Sequence, residues 1–349
     1  MLPTPTPTPL PHSGPGPRSR PRALFAMGRR HRDALFGPAE IQRLTAYVDI
    51  DPDHVAEDLT DEPSLEDVEI LLTSWGCPVL DEDVLARAPA LKAIVHAAGS
   101  VKHHVTQACW DRGLLVSSAA AANAVPVAEY TVAAILFANK RVLEIGGLYR
   151  EHRSPLDWSR HFPGFGNYRR TVGVVGASLV GRKVIELLRP YDLDILLADP
   201  HVSTLRAAAM GVRLVDPDEL VRASDIVSLH APELPETRHL MDARRLALMR
   251  DGATLINTAR GSLVDTEALT AEAVSGRIHA VIDVTEPEVL PAASPLYSLP
   301  NVLLTPHIAG SLGGELHRIA AGALDEVGRY CAGEPFTHAV HHAALATSA

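Results

Sequence analysis

Apolar and polar positions along this chain follow two rhythms: short unbroken apolar runs, and longer segments in which apolar residues recur with helical spacing. The first suits a strand buried on both faces, the second a helix with one buried face. The runs predict strands over Ala23–Met27, Val68–Trp75 and Ala93–His96. Further strands are predicted over Thr171–Val175, Asp194–Ala198, Asp225–His230, Ala253–Asn257, His279–Val284 and Val302–Thr305. Helical spacing predicts Pro38–Val48, Asp81–Arg87, Val125–Lys140, a segment closed by Pro190, Asp242–Met249, Asp265–Ala273 and Glu315–Ala332. Regular alternation of this kind gives an α/β class with parallel sheets.

The most informative stretch is Thr171–Pro200, in which a strand runs into a glycine turn, then a helix, then a second strand followed directly by Asp199. Such a βαβ unit holds a dinucleotide. The turn glycines let the backbone approach a pyrophosphate, the helix N-terminus favours its charge, and the distant acid accepts hydrogen bonds from the ribose. Here the turn reads Gly176-Ala177-Ser178-Leu179-Val180-Gly181, so a serine stands at the middle glycine position, where its hydroxyl can donate to a phosphate. The absence of an arginine directly after Asp199 favours NAD over NADP. Six strands from Thr171 onward match a doubly wound dinucleotide sheet. The fold expected is therefore two doubly wound Rossmann-like lobes with a cleft between them.

Residues 1–21 are proline-rich, lack the apolar centre of a secretory signal and are expected to be a disordered tail. Residues 22–122 and 312–349 are expected to form one discontinuous, flavodoxin-like lobe that binds substrate, and 123–311 the nucleotide lobe. The stretch from Val142 to Arg170 has no clean period; its aromatics fit either a segment that wraps a neighbouring subunit or a surface loop. At 349 residues the chain is long for one core. A formal charge of −10 argues against a nucleic-acid partner. No apolar run is expected to reach the length needed to cross a membrane, the longest, around Val125 to Ala138, being interrupted by Glu129. Three scattered cysteines give neither a disulfide framework nor a zinc spacing, and point to a reducing cytoplasm. No metal is expected.

Ligands in such sheets bind beyond the carboxyl ends of the strands. Three candidates follow strand-like runs: Arg260 in NTARG, the acids Glu286 and Glu288 in DVTEPE, and His307 in TPHIAG. A guanidinium forks onto a carboxylate, an imidazole exchanges a proton near neutral pH, and an adjacent carboxylate orients the imidazole and favours its charged form. Together these suit reduction of a 2-keto acid.

With these motifs in this order, together with NAVPVAEY (Asn123–Tyr130), the sequence resembles the D-2-hydroxyacid dehydrogenase family over roughly Ala93–Gly313. The resemblance implies an NAD-dependent enzyme, a homodimer in most members, acting on a small 2-keto or 2-hydroxy acid. It assigns Arg260 to the substrate, His307 to acid–base work and Glu288, rather than Glu286, to the histidine. It gives the substrate loop Ala98, Gly99 and Ser100, whose N–H groups hold the carboxylate. Around the cofactor it adds Leu179, Val180, Gly181, His230, Ala231, Pro232, Thr237, Thr258, Ala259, Asp283, His307 and Gly310 to Gly176, Ser178 and Asp199. His103 and His104 are expected at the surface, at a helix start. Two alternatives remain on the same fold: an NAD-sensing corepressor, and a formate or phosphite dehydrogenase. Glu288 in place of a glutamine disfavours formate, and Ala98 in place of a lysine disfavours phosphite.

Overall fold

The computed structural model describes residues 20–345. All but the last two residues of the expected proline-rich tail lie outside that range. Twelve strands form two sheets, and every pair within them is parallel. The first sheet holds β1 (Ala23–Ala26), β2 (Val55–Ala56), β3 (Ile70–Thr73), β4 (Ala93–His96) and β5 (Leu115–Ser118), in the order β2-β1-β3-β4-β5. The second holds β6 (Arg170–Val175), β7 (Leu193–Ala198), β8 (Arg213–Leu214), β9 (Ile226–Leu229), β10 (Thr254–Asn257), β11 (His279–Ile282) and β12 (Val302–Leu304). Its order is β12-β11-β10-β9-β6-β7-β8. The chain reverses its direction of winding between β6 and β9, and an α/β sheet opens a crevice at that point.

The second sheet has seven strands rather than the expected six. The addition, β8, is a two-residue edge strand too short to show a period. The short edge strand β2 and the strand β5, one end of which is exposed, likewise add to the first lobe. The stretch after Val142 is not irregular: it contains helices over Val142–His152 and Trp158–His161. Neither buries a residue completely, so no apolar stripe marks them in the sequence.

Two long helices join the lobes. The linker helix Ala120–Asn139 begins five residues before its expected start and is long and apolar enough, by those criteria alone, to cross a membrane. The expectation that no segment reaches that length is corrected here. Ala128, Val132 and Ile135 of this helix pack into the core of the second lobe with Val172, Val174 and Val184. The return helix Leu316–Ala332 carries Ile319, Ala323, Leu324 and Val327 into the core of the first lobe, against Phe25, Phe36 and Leu44. Its Glu326, 3% exposed, accepts from the N–H groups of Thr337 and His338 at 3.0 and 2.8 Å. The following chain reaches β5, where Val340 N donates to Val116 O at 2.7 Å.

Candidate active site

The glycine turn after β6 is set by backbone crowding. Gly176 has φ +95, and a Cβ there would lie 2.6 Å from the N of Ala231, in the loop after β9. A Cβ on Gly181 would fall 2.1 Å from the Gly176 carbonyl oxygen. The turn and the first helical turn are thus pressed together at the crevice between β6 and β9. Ser178 caps the helix Leu179–Leu188, its Oγ accepting from Gly181 N at 3.3 Å. The serine therefore serves a helix N–H in this structure, beyond the phosphate donor role expected of it.

A cavity of about 1280 Å³ opens over this turn. Gly176, Ser178, Asp199, Ala231, Pro232 and Thr237 line it. Asp199 accepts from Ala177 N and His201 N, both at 2.7 Å, so its carboxylate stands at the end of β7 facing the turn. Arg182 and Arg206 also line the cavity, although no feature of the sequence singled them out. A turn whose Gly176 and Gly181 leave no room for a Cβ, a helix N-terminus and a carboxylate beyond the neighbouring strand fit a dinucleotide's diphosphate and ribose.

Leu179, Val180, Gly181 and His230 lie beside this turn but are not in the cavity wall. His230 is fully buried: its Nε2 contacts Ser228 Oγ at 2.9 Å, and its Nδ1 has no partner among the described residues. Burial pushes its imidazole down to about 3.

The other candidates collect at the carboxyl ends of β10, β11 and β12, which pair in register through Asn257, Ile282 and Leu304. His307 Nδ1 lies 2.6 Å from Glu288 Oε1. Glu286 instead pairs with Arg238 at 2.8 Å, so the two acids of DVTEPE are sorted between two partners. Both members of the His307–Glu288 pair are open to solvent. His307 adopts φ 55, a left-handed conformation that costs a non-glycine residue about 1–3 kcal/mol and is concentrated at functional sites.

Asp283 holds that conformation in place. Its Oδ1 accepts from Thr305 Oγ1 at 2.6 Å and Ile308 N at 2.8 Å, and its Oδ2 accepts from Ala309 N at 2.9 Å. Its main-chain oxygen accepts from His307 N at 2.9 Å. Buried to 2% exposure, Asp283 thus supports the histidine turn from below.

Arg260 sits on the loop after β10. Asn257 Nδ2 donates to its carbonyl at 2.8 Å, and its own Nη1 donates to the Ala259 carbonyl at 2.6 Å. The next residue, Gly261, has no room for a side chain, since a Cβ would lie 2.1 Å from the Thr285 carbonyl carbon. The arginine loop is therefore pressed onto the loop that carries Glu288. Lys102 of the first lobe lies within electrostatic reach of Arg260, which, after burial, helps push the lysine pKa down.

The linker helix ties these strand ends together. Asn123 Oδ1 accepts from Ser311 N at 3.0 Å, Tyr130 Oη contacts Thr305 Oγ1 at 2.9 Å, and Thr131 Oγ1 contacts Thr258 Oγ1 at 2.8 Å. These three anchors were missed in the sequence as site residues, although Asn123 and Tyr130 bound the NAVPVAEY motif. Asn123 also faces the substrate loop and the histidine turn: its amide lies 3.5 Å from the point a Cβ would occupy on either Gly99 or Gly310. Ala98 is buried, while Gly99 and Ser100 are half-buried at the tip of their loop. His103 is exposed as expected. His104 is not: it is 3% exposed and turns inward toward Thr73.

Residues 132–309 match the family described as D-isomer specific 2-hydroxyacid dehydrogenase, NAD binding domain. The chain is 34% identical over 266 residues to D-3-phosphoglycerate dehydrogenase of Mycobacterium tuberculosis (strain H37Rv), covering 75% of this chain and 49% of that protein. It thus spans about half the length of that relative. Glyoxylate reductase of Thermofilum pendens is 35% identical over 235 residues, 66% of this chain and 69% of the reductase. Among solved structures, D-lactate dehydrogenase of Aquifex aeolicus, complexed with NAD and lactic acid, superposes with a TM-score of 0.69 at 26% identity, covering 89% of this chain and 96% of that one.

Proposed function

Because the chain belongs to the D-isomer specific 2-hydroxyacid dehydrogenase family, we propose that it interconverts a 2-keto acid and the corresponding D-2-hydroxy acid with NAD. The observation that carries this reading is the 2.6 Å pair of His307 and Glu288, set at the ends of neighbouring strands beside the Arg260 loop. Bound NADH would supply the hydride. Glu288 accepts from His307 Nδ1–H, which leaves Nε2 to pass a proton to the carbonyl oxygen of the substrate. Arg260 holds the substrate carboxylate and polarises the C=O bond, so that it meets charge as it develops in the transition state. The N–H groups of Ala98, Gly99 and Ser100 receive the other side of the carboxylate.

Residues 22–122 and 312–349 act in this reading as the substrate lobe, and 123–311 as the nucleotide lobe. We place the enzyme in the cytoplasm as a homodimer. Phe137 and Leu143 support the dimer, as exposed apolar side chains lining a cavity of about 200 Å³ beside the linker helix. A second copy covering them would give twice the chain mass in sedimentation.

The test is the fall in NADH absorbance with a panel of 2-keto acids of increasing side-chain size. At least one acid should be reduced, to the D product, and Arg260→Ala should cut kcat/KM on that acid by on the order of 10²–10⁴. Tight NADH binding with no acid reduced would transfer the protein to the sensor class.

A further inference from the structure

The loop after β4 begins and ends on a buried polar triangle that the chemistry above does not use. Thr73 and His96 are the last residues of β3 and β4 and stand opposite each other in register. His104 returns to them from the far end of the loop. Thr73 is fully buried and both histidines are 3% exposed. Thr73 Oγ1 lies 2.9 Å from His96 Nδ1 and 3.3 Å from His104 Nε2, and the two rings are 4.5 Å apart between centroids.

A hydroxyl has one proton to give and two lone pairs, so it can serve both imidazoles at once, donating to a bare ring nitrogen and accepting from a ring N–H. Thr73 Oγ1 thus bridges His96 Nδ1 and His104 Nε2, with the direction of each contact set by the ring tautomers.

Burial pushes both imidazoles down, His104 to about 4; the neighbouring histidines push the same way, His104 and then His103 on His96, and His103 on His104. The main chain at both ends of the loop is tied as well. Ala97 N donates to Thr73 O at 2.7 Å, Ser74 Oγ to Ala97 O at 2.9 Å, Ala119 N to Ala98 O at 3.0 Å and Leu80 N to His104 O at 2.8 Å. Between these ties stand Ser100 and Gly99, the latter facing Asn123 and, through it, the turn of His307.

We propose that Thr73, His96 and His104 are positioning residues, a buried clasp that fixes the Ala97–His103 loop at the height where its N–H groups receive the substrate carboxylate. The clasp touches neither substrate nor cofactor. Its effect falls on substrate affinity and not on the hydride or proton step. This inference rests on the reading above that residues 98–100 hold the carboxylate.

Thr73→Val keeps the shape and removes the shared hydroxyl. It should raise KM for the 2-keto acid by about 10- to 100-fold, leave kcat within about threefold and leave the Kd for NADH unchanged, while Thr73→Ser should return KM to near the wild-type value. An unchanged KM in Thr73→Val, or equal losses in KM, kcat and NADH affinity, would overturn the clasp. If Thr73→Val does not fold, the pair His104→Gln and His104→Leu replaces it: the amide keeps a donor for Thr73 and should preserve KM, whereas leucine should raise it, and equal KM values in the two would overturn the proposal. Should the wild-type protein reduce no 2-keto acid, the dehydrogenase reading fails separately. Amide hydrogen exchange then judges the clasp, since exchange at Ser100–Lys102 should accelerate about tenfold or more in Thr73→Val and not in Thr73→Ser. Equal exchange in both variants would contradict it.

Discussion

The dinucleotide turn and the substrate-facing loops lie beyond the carboxyl ends of parallel strands and are built on opposite plans. The turn is shaped by missing atoms: Gly176 and Gly181 lack Cβ atoms where the backbone of Ala231 and the carbonyl of Gly176 leave no space. The loops proposed to carry catalysis are shaped by side chains that are present. Asp283, Tyr130, Thr305 and Asn123 brace the His307 turn, and Glu288 holds the ring. A diphosphate looks much the same in every dinucleotide, so a backbone cradle suffices to bind it. On the proposed reading a keto acid would have to be oriented to a fraction of an ångström against a proton donor, a task suited to braced side chains.

The contrast can be broken from either end. Deleting a side chain should cripple the catalytic loops and leave the fold alone: His307→Ala should lower kcat by about 10²–10⁴ while NADH affinity, read by fluorescence titration, stays within a few-fold. A kcat within threefold of wild type would show that the ring is not the proton donor. At the turn the damage comes from adding an atom. Gly176→Ala combines positive φ with a Cβ 2.6 Å from Ala231 N, and should cost about 2–5 kcal/mol in urea unfolding along with most of the affinity for NADH. A stable variant that binds NADH normally would show that the turn relaxes.

Buried imidazoles sharpen the comparison through pH. His104 and His279 are pushed down to about 4 and His230 to about 3, each by burial first. A histidine whose folded pKa is depressed gives its full stability above the unfolded value near 6.5; the loss begins as pH falls below that value and is complete below the folded pKa. Between pH 6.5 and 4.5 the account predicts a loss on the order of 2–3 kcal/mol from His104 alone. His104→Gln should remove that part of the slope in urea titrations at pH 7 and 5, and an unchanged slope would mean that the ring takes up its proton equally in the folded and unfolded states.

The smallest effect belongs to Ser178→Gly, which restores the glycine usual in such turns. Because Ser178 acts as a helix cap, the change should cost only a few tenths of a kcal/mol and leave the NADH Kd within about twofold. A tenfold change in Kd would give the hydroxyl a direct part in holding phosphate.

Much of the second lobe was legible because its principal strands are mostly apolar runs, and the residues that follow them mark the crevice. The motif order placed Arg260, Glu288 and His307 beyond consecutive strands, and the structure packs their loops together. What stayed hidden has no periodic trace. Val55–Ala56 and Arg213–Leu214 are too short to show alternation. The helix Val142–His152 fully buries none of its residues, so nothing in its pattern separates it from a loop. His104 sits in the polar run Lys102-His103-His104 and reads as surface, because its burial depends on a hydroxyl far off in sequence, on β3. Tyr130 and Thr131 could be read as helical and Asn123 lies just ahead of the expected helix, but their partners lie at or beyond strand ends more than a hundred residues away.

The most direct test of the central claim is a crystal structure with NAD and an unreactive 2-keto acid analogue such as oxamate. The account predicts the carbonyl oxygen within about 3.2 Å of His307 Nε2, with the carboxylate shared between the Arg260 guanidinium and the N–H groups of Gly99 and Ser100. An analogue bound with its carboxylate away from Arg260, or with the His307 ring turned from the carbonyl, would contradict it.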